Sequence, residues 1–151
     1  MSLMNLLKRS SAIRHSNSVA AGVTVITPSA GVDLKGFDGC LFIVPWGAIT
    51  AAGVQSVEVH QSSDDGVADG FSALLGSKVT VADSDDNKLT VIDVFRPLKR
   101  YVKAIVNRAT QNSAIDGIIA IRYCAASDPP THDATTVQGT KLLVSVEEGT
   151  A

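Results

Sequence analysis

From residue 19 onward the chain repeats one arrangement: short runs of alternating or continuous apolar residues, each cut off by Gly, Pro, Asn or Asp. Residues 19–26 alternate small and β-branched side chains before Pro28 and Gly31 interrupt them. At 39–46, Cys40-Leu41-Phe42-Ile43-Val44 is unbroken until Pro45 and Gly47, and a run that short between turn residues predicts a strand buried on both faces. Residues 56–61 alternate, with Val57 and Val59 inward and Glu58 and His60 outward. Further strands are expected at 78–82, at 89–95 up to Arg96-Pro97, at 101–108 and at 115–124, with a shorter edge strand or helical turn at 71–75. A last strand is expected around Leu142, Val144 and Val146.

That makes about eight strands, with no amphipathic segment of helical length between them. Parallel β-strands need crossover connections, usually helical, so the expected architecture is all-β: an antiparallel sandwich of jelly-roll type. Residues 1–18 read differently. Leu3, Met4, Leu6 and Leu7 precede Lys8, Arg9, Arg14 and His15 among serines. Such a segment is too short to hold a helix alone. It is expected to be an N-terminal arm whose Leu3, Leu6 and Leu7 dock on a neighbouring subunit, leaving 19–151 as the sandwich domain. The charges follow the apolar residues, the reverse of a secretory leader. No run approaches a membrane span.

Composition narrows the function rather than naming it. With 151 residues and 45% hydrophobic content the chain can bury a core, but only 5% is aromatic, so the core must be aliphatic. A net charge of −2 gives no general attraction for nucleic acid. Cys40 and Cys124 both lie in strand-like runs. A disulfide across two strands is one reading; a pair of small buried thiols in a reducing cytoplasm is the expected one.

Candidate chemistry is sparse. Asp83-Ser84-Asp85-Asp86-Asn87 alternates oxygen ligands, but a calcium loop starting there needs Gly at 88 and Glu at 94, where Lys88 and Val94 stand. A hairpin whose acidic side chains bond backbone amides accounts for the run. His15, His60 and His132 lack zinc spacing, and no residue is nominated as a nucleophile, so neither enzyme activity, metal nor cofactor is expected. Arg96, Lys99, Arg100 and Lys103 form the one basic cluster. On the 101–108 strand, alternation sends Val102, Ala104 and Val106 inward and Tyr101, Lys103 and Ile105 outward. Tyr101 and Ile105 with the basic rim of Arg96, Lys99, Arg100 and Lys103 are the expected interface.

Most of the chain beyond residue 19 resembles the small virion proteins of tailed bacteriophages, the kind encoded near the major capsid protein. The residues that carry this run from Ala82 through Asp83-Ser84-Asp85-Asp86-Asn87-Lys88-Leu89 to Val94-Phe95-Arg96-Pro97 with Arg100-Tyr101-Val102. They continue in Gln111-Asn112, Ile115-Asp116-Gly117-Ile118-Ile119-Ala120-Ile121, Thr131-His132-Asp133 and Glu148-Gly149-Thr150-Ala151. Asp33-Leu34-Lys35-Gly36-Phe37 and Gln61-Ser62-Ser63-Asp64-Asp65 are similar more weakly. Some members of that group look like capsid cement or decoration proteins. The resemblance therefore implies a homo-oligomer, dimer or trimer, made in the bacterial cytoplasm. It would bind the major capsid protein on the assembled shell and brace it, with no catalytic residues to carry over. A head–tail adaptor or tail component is the nearest alternative. A carbohydrate-binding sandwich is the other, disfavoured by a single Trp and two Tyr to stack on sugars.

Overall fold

A computed structural model describes residues 5–144 and 147–149. A single turn of helix, α1 (Leu6–Arg9), capped by the Asn5 side chain, precedes eleven strands. These are β1 (Ser10–Ser16), β2 (Val19–Gly22), β3 (Val32–Asp33), β4 (Gly39–Ile49), β5 (Val54–Ser62) and β6 (Ser72–Ala73), then β7 (Val79–Val81), β8 (Leu89–Phe95), β9 (Tyr101–Ala109), β10 (Ser113–Ile115) and β11 (Ile118–Tyr123).

The strands form two antiparallel sheets. In the first, β4 is flanked by β8 on one side and by β11 and then β10 on the other, with β1 and β2 outside those. The second runs β3, β9, β5, with β6 and β7 both along the far side of β5. Taking β1 with β2, β6 with β7 and β10 with β11 as interrupted single strands leaves eight positions. Position one then pairs with eight, two with seven, three with six and four with five, a long hairpin wrapped into two sheets: a jelly roll. The interruption in the last strand falls at Gly117, whose φ of +128° puts a non-glycine residue out of reach and whose missing Cβ leaves room for the Ser16 carbonyl.

The core lies between the sheets, and period-two alternation built it. Cys40, Phe42, Val44 and Trp46 of β4 face Val57 and Val59 of β5 and Val102, Ala104 and Val106 of β9, all buried. Trp46 donates its indole N–H to the Thr90 hydroxyl at 2.8 Å, so the one Trp is a core residue and offers no stacking surface. At one end Arg108, 4% exposed, closes the sandwich by donating to the carbonyls of Thr24, Ala20 and Ser113, tying β9 to both β2 and β10.

Three expectations need correcting. The sandwich begins at Ser10, not at residue 19: within the segment expected to be an arm, β1 pairs with β11 through six residue partners. Its sequence hid this because Ile13 is its only large apolar residue: along its inner row Ser11 is buried, Ile13 packs against the core and His15 meets the Phe42 ring with centroids 5.5 Å apart. Leu6 and Leu7 do sit outside the sheets, Leu6 65% exposed, while Leu3 lies outside the described residues. Leu142 and Val144 are exposed and not in a strand; Ser145 and Val146 lie outside the described residues. Cys124 is exposed at the end of β11 with φ +53°, whereas Cys40 is fully buried and burial pushes its thiol up to about 12.

Candidate docking face

The two sheets turn very different outer faces to solvent, and the expected interface lies on the second. Its residues do not form an open patch. Lys103 points outward from β9 but is only 6% exposed, because Phe71 folds over it with the ring centroid 3.9 Å from Nζ. Lys99 donates to both carboxylate oxygens of Asp69 at 2.7 and 2.9 Å. Arg100 grips Asp33 through Nε and Nη2 at 2.7 and 2.6 Å. Tyr101 and Ile105 are half-buried, Tyr101 beneath the Arg100 guanidinium. Beside them His60 and Glu58 bond each other at 2.8 Å. Lys99 and Arg100 of the basic rim are therefore paired within the chain, and Lys103 is covered by a ring. Lys99 and the Ser63 amide and hydroxyl hold the Asp69 carboxyl at about 2, and Arg100 lowers Asp33 in the same way. The acidic run at 83–87 is similarly engaged: Asp83 and Asp86 accept the amides of Ala52 and Ile49, and Asp85 that of Ala82.

The outer face of the first sheet is apolar across three strands and onto a fourth. Register places Leu89 opposite Pro45, and Val91 beside Ile43 and Ile119. Leu41 stands between Asp93 and Ile121, with Ala12 of β1 beyond. Leu89 is 61% exposed, Phe95 57%, Val91 50% and Ile119 40%. Four strands about 4.8 Å apart and seven residues of about 3.4 Å each give a flat area of roughly 450 Å². An apolar patch of that size is of the order of the largest one on a typical single-chain protein, and such patches are often functional.

One end of this face is built with care. Gly39 lies between Phe95 and Tyr123, and any Cβ there would meet the Tyr123 ring at 2.3 Å. The glycine lets Tyr123 cross β4 and lie parallel to Phe95, with ring centroids 6.3 Å apart and planes 8° from parallel. From there its hydroxyl donates to Asp93 at 2.6 Å, capping the one carboxylate on the face. Partial burial, and then that bond, push the Tyr123 hydroxyl above its usual range. Arg96, the one residue of the expected rim that reaches this face, stacks its guanidinium 5.1 Å from the Phe95 centroid. Its contact with Asp38 is loose, at 3.9 Å.

Sequence reading missed this face although its signal was visible. The run 40–44 was read as buried on both sides, yet a two-layer sandwich covers each sheet once. Apolar residues on both faces of β4, β8 and β11 therefore leave one apolar face without a layer.

No helix among the described residues is long and apolar enough to cross a membrane. No family model matches the chain, and no curated protein does. Among solved structures, the chain is similar to a subunit of the disulfide-linked pili of Bacillus endospore appendages, at 16% identity over 83% of this chain and 97% of that one, with a TM-score of 0.44. It is similar to the VP2 protein of the infectious bursal disease virus subviral particle at 11% identity, over 81% of this chain but 34% of that one, with a TM-score of 0.47. A family 11 carbohydrate-binding module from Clostridium thermocellum, solved with a mixed-linked tetrasaccharide, matches at 12% identity over 83% and 94% of the two chains, with a TM-score of 0.33. Likenesses this distant leave the function to be argued from the chain's own surface.

Proposed function

We propose that this chain is a non-catalytic structural protein of a phage virion, which binds the assembled capsid shell through the outer face of its first sheet and stabilises it. The observation that carries the reading is the uncovered apolar face of β8, β4 and β11, while three ion pairs within the chain occupy the opposite face. The resemblance of residues beyond 19 to tailed-phage virion proteins supports the choice of partner. An apolar protein surface is the chemistry such a face accepts, and a capsid shell would offer any one such site in many repeated copies.

Covering roughly 450 Å² of apolar surface at ~25 cal/mol per Å² returns on the order of 10 kcal/mol. Association alone costs roughly 4–15 kcal/mol, so one isolated contact is near break-even. Binding then becomes firm when copies are held together on a lattice and engage several sites at once. A homo-oligomer on a symmetric shell meets that condition.

The test is stoichiometry. In purified particles the chain should be present in numbers comparable to the capsid subunit. A few copies per particle would point to a head–tail adaptor or tail component, which forms one ring.

A further inference from the structure

We infer that the outer edge of β8 takes an added strand from a second copy of this chain, and that the strand is the apolar stretch at Leu142, Leu143 and Val144. These are contacts between copies and need no shell, so they stand or fall separately from the proposed function.

The edges of the two sheets are not alike. β3, β6 and β7 have only two or three residues each, too short to template a partner. β1 has its Arg14 amide taken by the Thr136 hydroxyl at 3.2 Å, and β2 gives its Ala20 carbonyl to Arg108. β8 differs from all of these. It has seven residues with no Pro and no Lys, and its single charge, Asp93, is capped by Tyr123. The Trp46 amide donates to the Lys88 carbonyl at 2.9 Å and the Arg96 amide to the Asp38 carbonyl at 2.8 Å, so the even-numbered residues between them bond β4. Leu89, Val91, Asp93 and Phe95 therefore aim their N–H and C=O groups away from the sheet, and no strand among the described residues pairs with them. Natural sheets shorten, charge or cover an edge of this length, because it is a template for another strand.

The chain also carries an apolar segment without a sheet. Leu142, Leu143 and Val144 are exposed and join no ladder among the described residues. Their segment leaves the body beside β1, where Thr136 meets Arg14, and β8 lies three strands away at the opposite edge of the same sheet. A tail at one edge and an acceptor at the other join copies head to tail. An added strand would turn alternate side chains into the cleft of about 240 Å³ between β8 and β7, lined by Val79, Val81 and Thr90. Main-chain bonds then supply affinity, and the cleft selects the side chains. Charge sets the direction. Glu147 and Glu148 follow the apolar residues, so an antiparallel tail brings them to Lys88 at the start of β8, whereas a parallel one sets Lys141 there. Lys88 is 64% exposed, with Asp85 as its partner in the chain.

Sedimentation of the full chain without capsids tests this. Mass should rise above the monomer with concentration, and amide exchange at Leu89, Val91, Asp93 and Phe95 should slow at least tenfold as it does. Leu142→Asp with Val144→Asp changes only exposed tail positions, so the melting temperature should hold while self-association weakens at least tenfold. Val91→Pro blocks the acceptor: the Val91 N–H points outward, so no bond to β4 is lost. Each variant alone should stay monomeric where the parent associates. A mixture of the two should form a one-to-one dimer that grows no further, since one intact tail meets one intact edge. If Val91→Pro does not fold, the tail variant and the exchange pattern decide. A chain that is monomeric at every concentration overturns the inference, including one whose own tail protects β8 independently of concentration. Association undiminished in the tail variant also overturns it, placing the contact on the apolar face or between two β8 edges, and so does a mixture of folded variants that yields no dimer.

Discussion

The two outer faces of this sandwich are made from the same backbone and solve opposite problems. On the second sheet and its loops four charged or titratable side chains have found partners in their own chain: Lys99 with Asp69, Arg100 with Asp33, His60 with Glu58, Lys103 under Phe71. A surface so paired has little left to offer another molecule, because any partner must first break those contacts. On the first sheet, Leu89, Val91 and Ile119 stand open to solvent, Phe95 is 57% exposed beside Tyr123 and Arg96, and Asp93 is capped by Tyr123. That face gains free energy from any apolar cover. Charge clusters draw the eye in a sequence, yet here the charges mark the face that is finished and the aliphatic residues mark the one that is not.

The largest expected effect breaks the apolar face directly. Val91→Lys with Ile119→Lys puts two ammonium groups on either side of Ile43, at positions already half-exposed. Folding should survive, with a melting temperature within a few degrees of the parent. Binding to purified shells should fall about 100-fold, the equivalent of ~2.7 kcal/mol, because a buried unpaired charge would have to enter the interface. Undiminished binding by a folded double variant would falsify the assignment of this face.

A second substitution sharpens the contrast from the other side. Phe71→Ala uncovers Lys103 and removes the ring over its ammonium group. Loss of the cation–π contact and of ring burial should cost about 2 kcal/mol of stability, read from denaturant unfolding. Shell affinity should not change. If binding drops while stability holds, the polar face is the interface after all.

How far the sequence carried this contrast depends on the element. Period-two alternation found the strands that turn one row of side chains into the core: β5, β8 and β9 were legible nearly residue by residue, and so was the inward row of Val102, Ala104 and Val106. It failed where a strand's partner is unusual. Ser10–Ser16 has one large apolar residue, and no local pattern separates such a strand from a polar tail. Leu142–Val144 shows the converse: an apolar stretch that joins no ladder among the described residues. The outward set Tyr101, Lys103 and Ile105 was placed correctly on its strand but wrongly in its surroundings, since Phe71, Asp69 and Asp33 arrive from elsewhere in the chain. Only long-range contacts decide whether an outward residue is free, and these are what a single sequence shows least.

The smallest effect separates the faces by pH. Carboxylates held low in the folded chain bind fewer protons than they do unfolded, so their contribution is present above about pH 4 and is lost as pH falls through the folded values. Asp33, Glu58 and Asp69 all belong to the second sheet and its loops, and Asp69 titrates at about 2. The acid limb of a stability profile therefore carries the polar face, together with Asp85 and Asp133, which are held low elsewhere in the chain. His15, inside the sandwich, adds an earlier shoulder. Burial lowers it from 6.5 to about 4, so the unfolded chain takes up its proton first, and stability declines between those values as the pH drops. The apolar face answers at the other end. Tyr123 is raised by burial and by Asp93, so the unfolded chain ionises first, and stability falls once the pH passes about 10. Cys40, held up at about 12, contributes to the same alkaline limb from the core. Urea midpoints measured from pH 2 to 11 should show all three features. Asp69→Asn should flatten only the acid limb, His15→Phe only the shoulder, and Tyr123→Phe should reduce the alkaline limb to the part that Cys40 supplies. An alkaline limb unchanged in Tyr123→Phe would mean that the Tyr123–Asp93 bond does not persist in solution, and the flat aromatic end of the docking face would lose its anchor.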